Sequence, residues 1–137
     1  MILAIDPGET SGFARFEDDG AFASRGQLAF DPMLDALAVV TGVTTFVLET
    51  YTHDPGRQKR GSTFKTVQVI GAIKLRARQL GAEVITVGRE AKSMGAIYTG
   101  EQPPANHKKS HEVDAQNLGT YWLVQQEIID PPTMALL

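Results

Sequence analysis

Two stretches of this chain are apolar enough to be buried on both faces, and each breaks off at a carboxylate. Ile2-Leu3-Ala4-Ile5 runs into Asp6, and Phe46-Val47-Leu48 runs into Glu49. Short runs of this kind read as inner strands of a sheet covered on both sides. A carboxylate at the end of such a strand is costly unless something positive meets it. Farther along, His111 and Asp114 stand three residues apart where a helix-like stretch begins, so their side chains share one face. If the two strands are neighbours, these four groups meet in a site rich in hard oxygen donors. That composition suits magnesium or manganese.

The chain has no cysteine, which excludes disulfides and thiolate zinc sites. No apolar run approaches the roughly 20 residues of a membrane-spanning helix, so no membrane association is expected. The amino terminus meets an acid at once without a basic flank, unlike a secretory signal. One cytoplasmic domain over residues 1–137, with a single hydrophobic core, is the expectation. The net charge of −3 conceals a strong asymmetry. From Met1 to Gly56 there are two basic residues against nine acids, and from Arg57 to Lys109 eleven against three. Beyond that come four acids and no lysine or arginine. A basic middle in an acidic protein suggests a polyanion-binding surface beside a cation-binding pocket. The plainer reading is the solvated side of a helix.

Ile2–Asp6 is read as a buried strand, followed by a turn at Pro7-Gly8. Gly12 to Glu17 alternates apolar and polar residues, Asp18-Asp19-Gly20 signals a hairpin, and Ala21 to Ala29 supplies a third strand. Asp31-Pro32 has the form of a helix cap and first residue, with the helix stopping at Gly42. Thr44 to Glu49 is a fourth strand. A long helix follows, capped by Ser62 and ended by Gly81 after Leu80. Its apolar residues Phe64, Val67, Val69, Ile70, Ile73, Leu75 and Leu80 exceed one stripe, so a second surface is expected to cover the surplus. Glu83–Val87 is a fifth strand, Arg89 to Tyr98 a short helix, and His111 to Ile129 the last helix before Pro131-Pro132. Right-handed crossovers would set the fourth strand beside the first, in a mixed sheet flanked by helices.

This order of elements resembles the RNase H-like superfamily, with Asp after strand one, Glu after strand four and His-x-x-Asp on the last helix. Within it, "ILAIDPGETSGFA", "FVLET" and "HEVDAQNLG" are most similar to the RuvC family of Holliday-junction resolvases, and the short length suggests a phage-encoded branch. The resemblance implies an α/β fold with a five-stranded mixed sheet, β1-β2-β3 antiparallel and β4 and β5 parallel to β1. It implies a homodimeric endonuclease, paired through the helix from about Ser62 to Leu80, that cuts branched DNA in recombination, repair or debranching. Two Mg2+ ions per site are implied, with Mn2+ able to substitute. Asp6 would bridge them, with Glu49, Asp114 and His111 completing the shell, and Lys92 would face the substrate.

For DNA contact the expected residues are Arg57, Lys59, Arg60 and Lys65 around the start of the long helix, and Lys108 and Lys109 ahead of His111. Such residues touch phosphates and carry affinity without sequence information. Tyr51 either stacks on an unpaired base or covers the edge of the core. Gly8 and Gly12, with Thr10 and Ser11, either admit a phosphate near Asp6 or simply form a tight turn. His53 is ambiguous; Glu9, Glu112 and His107 are read as solvated, as are Lys74, Arg76 and Arg78. Three rival functions remain open. One is a YqgF-type nuclease acting on structured RNA, and another a DNA-binding module without catalysis. The third, an actin-like phosphate-loop domain, needs two such domains and more chain than this.

Overall fold

A computed structural model describes residues 1–51, 60–101 and 110–131, with residues 60–63 described in backbone only. The elements run β1 (Ile2–Asp6), β2 (Thr10–Phe16), β3 (Phe22–Ala29), α1 (Phe30–Val39), β4 (Thr45–Glu49), α2 (Arg60–Leu80), β5 (Glu83–Val87), α3 (Glu90–Thr99) and α4 (Ser110–Gln125). They build one five-stranded sheet in the order β3-β2-β1-β4-β5. The first three strands pair antiparallel, and β4 and β5 run parallel to β1. The expected mixed sheet is therefore the observed one.

The apolar runs of β1 and β4 are explained by a core on each side of the sheet. Alternate residues of a strand face opposite ways. Leu3, Ile5, Phe46 and Leu48 join Met33 and Leu37 of α1 and Val69, Ile73 and Ala77 of α2. Ile2, Ala4 and Val47 point to the other side, where Ala14, Phe16, Ala115 and Leu123 lie. Of the surplus apolar residues of α2, Phe64, Val67 and Leu75 are exposed in the single chain.

Several boundaries differ from the sequence reading. Asp31 does not cap α1; Ala29 is the cap residue and makes no side-chain bond. Asp31 and Pro32 sit inside the first turn, where an acid suits the helix dipole and a missing N–H costs nothing. The helix stops at Val40, before Gly42. Arg76, expected to be solvated, donates from Nε (3.0 Å) and Nη2 (2.7 Å) to the Val40 carbonyl, a cation closing a helix C-terminus. Ser62 lies within α2 rather than at its cap. α4 ends at Gln125, four residues early. Glu127 takes a left-handed φ of 57°, with its N–H on Val124 O (3.0 Å) and the Ile128 N–H on Leu123 O (3.0 Å). That is a Schellman ending, with a glutamate in place of the usual glycine.

The docking of α4 depends on Gly12. In the β1–β2 register Gly12 stands opposite Asp6. A Cβ at Gly12 would run into the carbonyl of His111 and lie 2.6 Å from the Glu112 nitrogen. Helix backbone thus rests directly on strand backbone, beside the first acid. Gly95 gives α3 the same closeness to α4 at Asn117. Gly12→Ala is expected to cost about 1–3 kcal/mol of stability, as overpacking does. Urea unfolding followed by circular dichroism measures it, and an unchanged midpoint would mean that α4 shifts freely.

Candidate active site

The parallel register of β1 and β4 sets Ile5 opposite Leu48, so Asp6 and Glu49 leave the sheet at the same edge. α3 brings Lys92 across that edge, and α4 brings His111 and Asp114 over β2. The Lys92 ammonium is the meeting point. Its Nζ is 2.9 Å from Asp6 Oδ1, 3.1 Å from Glu49 Oε2 and 3.8 Å from Asp114 Oδ2. The other Asp6 oxygen, Oδ2, lies 3.1 Å from His111 Nδ1. The five side chains expected to carry the chemistry are thus gathered in one place.

Their charges are mutually adjusted. Burial pushes the Asp6 carboxyl up, but the His111 hydrogen bond and the Lys92 charge outweigh it and hold Asp6 below the ordinary range. Burial alone would depress Lys92, yet Asp6, Glu49 and Asp114 raise it above the usual lysine value. His111 is raised, chiefly by its bond to Asp6. Asp114 is also raised, first by burial, with Lys92 opposing and Asp6 adding to the effect. The site thus favours the charged forms of Asp6 and Lys92, while burial works against the charged form of Asp114.

The site opens into two adjoining hollows that share Asp6, Pro7, Thr66 and Lys92. Glu49, Thr50, Tyr51 and Arg89 wall one; Gly8, Glu9, Thr10, His111 and Asp114 wall the other. Among the described residues, no three acid or imidazole groups are arranged to hold a metal ion as they stand. The Lys92 ammonium occupies the centre instead. Even so, three carboxylates from three elements converge on a single cation, and hard oxygen donors of that kind fit a divalent ion. The donor set therefore fits magnesium or manganese, with Asp6, Glu49 and Asp114 as the residues to hold it; His111, expected in the same shell, is turned with its Nδ1 toward Asp6 Oδ2.

The residues read from sequence as DNA contacts fare unevenly. Tyr51 is half-buried on the cleft wall. Lys65 reaches Glu9 at 3.1 Å and lies 5.7 Å over the Phe30 ring, at the cleft's rim. Arg57, Lys59, Lys108, Lys109, His53 and His107 lie outside the described residues, as does the side chain of Arg60. Ser11 faces inward, fully buried, and its hydroxyl closes the turn against Gly8 N (3.2 Å) and Gly8 O (3.4 Å). Gly12 is small for α4, as its closeness to His111 demonstrates. Glu112 is not solvated but pairs with Arg25 at 3.3 Å, and Arg25 also grips Glu101 at 2.7 Å.

Sequence reasoning missed four residues. Arg89 and Thr66 line the cleft. Gln27 of β3 accepts from the backbone N–H of His111 (3.0 Å) and Glu112 (3.2 Å), capping α4 from another strand. Arg25 fixes the same turn; its isolation in an acidic segment was the one available signal. Nothing in the sequence marks Gln27.

The architecture is the RNase H-like fold in the form seen in RuvC structures. Thermus thermophilus RuvC in complex with a Holliday junction substrate is similar at 13% identity and a TM-score of 0.64, covering 96% of this chain and 98% of that one. Another Thermus thermophilus RuvC structure gives 14%, 0.55, 96% and 99%. The yeast mitochondrial Holliday junction resolvase gives 10%, 0.56, 93% and 79%. At these identities the likeness is one of fold. No family model and no curated protein sequence matches the chain.

In metal-free protein the His111 ring is expected to titrate above its ordinary 6.5, and Asp6→Asn to bring it down. Because the folded value is raised, the pair stabilises the fold fully below pH 6.5, and that contribution fades as pH rises through the folded value. NMR titration of the imidazole C–H signals measures it; an unshifted ring would refute the Asp6–His111 pair.

Proposed function

We propose that this chain is a divalent-metal-dependent endonuclease that hydrolyses phosphodiester bonds in four-way or otherwise branched DNA. The observation that carries the reading is the convergence of Asp6, Glu49 and Asp114 on one cation position in a cleft, within a fold shared with junction resolvases. Bound Mg2+ or Mn2+, two ions in the fullest form of the reading, would supply a nucleophilic hydroxide and stabilise the leaving oxygen. Asp6 stands between the other groups and suits the shared ligand. Glu49 and Asp114 would hold the ions with it. His111 secures the second oxygen of Asp6 and fixes the direction of the first.

Substrate contact falls to the cations and the aromatic around the cleft. Tyr51 and Arg89 line the hollow beside Glu49, where an unpaired base and its phosphate can lie. Arg57, Lys59, Arg60, Lys108 and Lys109 belong to the basic middle of the sequence and serve as phosphate contacts, with Lys65 at the rim. A junction resolvase cuts two strands of like polarity, which a two-fold dimer accomplishes with two equal sites. The exposed Phe64, Val67 and Leu75 of α2 suit such an interface.

Asp6→Asn, Glu49→Gln and Asp114→Asn are each expected to reduce Mg2+-dependent cleavage of a synthetic four-way junction by about 100-fold or more, while junction binding persists. Gel assays of cleavage and binding measure both, beside linear duplex and structured RNA as competitors. Full cleavage by Asp6→Asn, or preference for RNA, would sink the reading. Arg57→Ala with Lys59→Ala is expected to weaken binding and lower its salt slope by about 1 for each phosphate that is no longer neutralised. An unaltered slope clears that segment of any role at the phosphates.

A further inference from the structure

We infer that Lys92 is a resident counter-cation that holds the divalent-ion position in the metal-free site and must leave it for the ion to bind. The inference rests on the nuclease reading and adds a role for one of its side chains. Three carboxylates from β1, β4 and α4 point at one spot that excludes much of the solvent, with Asp6 only 13% exposed. Without a cation they repel one another at close range. Lys92 meets all three, so it keeps the carboxylates gathered when no metal is there.

The same lysine is built to move. Its helix is firmly seated: Ala91, Gly95 and Ala96 are buried, and the Gly95 backbone touches that of Asn117 in α4. The anchor is rigid, whereas four flexible carbons carry the ammonium. Lys92 borders both hollows of the cleft and is 30% exposed, so its head has open space on either side. Arg89, the cap residue at the start of the same helix, borders the hollow beside Glu49. An ammonium displaced from the carboxylates therefore comes to lie with Arg89 where a phosphate would sit. Metal entry and the arming of the phosphate cradle are one event, because the same side chain cannot do both jobs at once.

The test is Mn2+ binding to the metal-free full-length chain, with free ion followed by electron paramagnetic resonance, in wild type, Lys92→Met and Lys92→Arg. Methionine keeps the length and removes the charge. Lys92→Met is expected to bind Mn2+ about tenfold more tightly than wild type, within the usual range for coupled sites. Its metal-free melting temperature is expected to fall and to recover on adding Mn2+. Junction cleavage by the same variant is expected to decrease. Tighter ion binding with slower cleavage is a pair of opposite changes that a merely structural lysine would not produce. Lys92→Arg, which keeps the charge, is expected to bind Mn2+ no more tightly than wild type. Equal or weaker Mn2+ binding by Lys92→Met overturns the inference while leaving the nuclease reading intact. Absence of Mn2+ binding in all three proteins overturns both. If the affinity contrast holds but wild type cuts no branched DNA, the counter-cation role stands and the nuclease reading falls.

Discussion

Parallel pairing of two strands buried on both faces is the constraint from which the site follows. β1 and β4 have few polar side chains along their length, so the first place they can present one is where they leave the sheet. Pairing in register makes that place common to both, and it puts Asp6 and Glu49 together at a point neither would occupy alone. Two carboxylates brought close in a half-buried edge are unfavourable by themselves. The fold accommodates them with a cation near by, Lys92, and with the His111 ring bonded to Asp6. Concentrated acidity and local instability are the same fact seen from two sides.

The second half of the site is delivered by backbone contact rather than by side-chain packing. α4 can bring His111 to Asp6 because the strand beneath it carries no Cβ at Gly12. Gln27 then satisfies two N–H groups of its first turn, and Arg25 ties down Glu112 in the same turn. These attachments come from β2 and β3, the antiparallel arm of the sheet. That arm contributes none of the clustered acids, yet it determines where Asp114 and His111 stand.

The legible part of the fold was the part governed by local pattern. Apolar runs identified β1 and β4, alternation identified β2, and the order of elements led to the sheet. The acids were legible because each closes or opens such an element. Residues whose role depends on a partner far along the chain left no comparable mark. Gln27 bonds a helix 84 residues away, and Arg76 caps a helix 36 residues earlier. Glu112 looked like an ordinary solvated acid because Arg25 is distant in sequence. Helix limits went wrong for a similar reason: a left-handed glutamate ends α4 where a glycine or proline signal was sought. Lys92 was found only through the family resemblance, since a lysine amid a basic stretch is not distinctive.

The far end of α4 matters as much as its beginning. Ile128 and Ile129, turned back by the Schellman ending, lie against Gly20 at the tip of the β2–β3 hairpin. Close approaches to glycine thus bracket α4 on the antiparallel arm, at Gly12 near its start and at Gly20 past its end, while α3 and β1 pack along the length between them. The tip of a surface hairpin, outwardly a permissive place, is therefore closed to side chains: a Cβ at Gly20 would collide with Ile129 at the end of the helix opposite to His111.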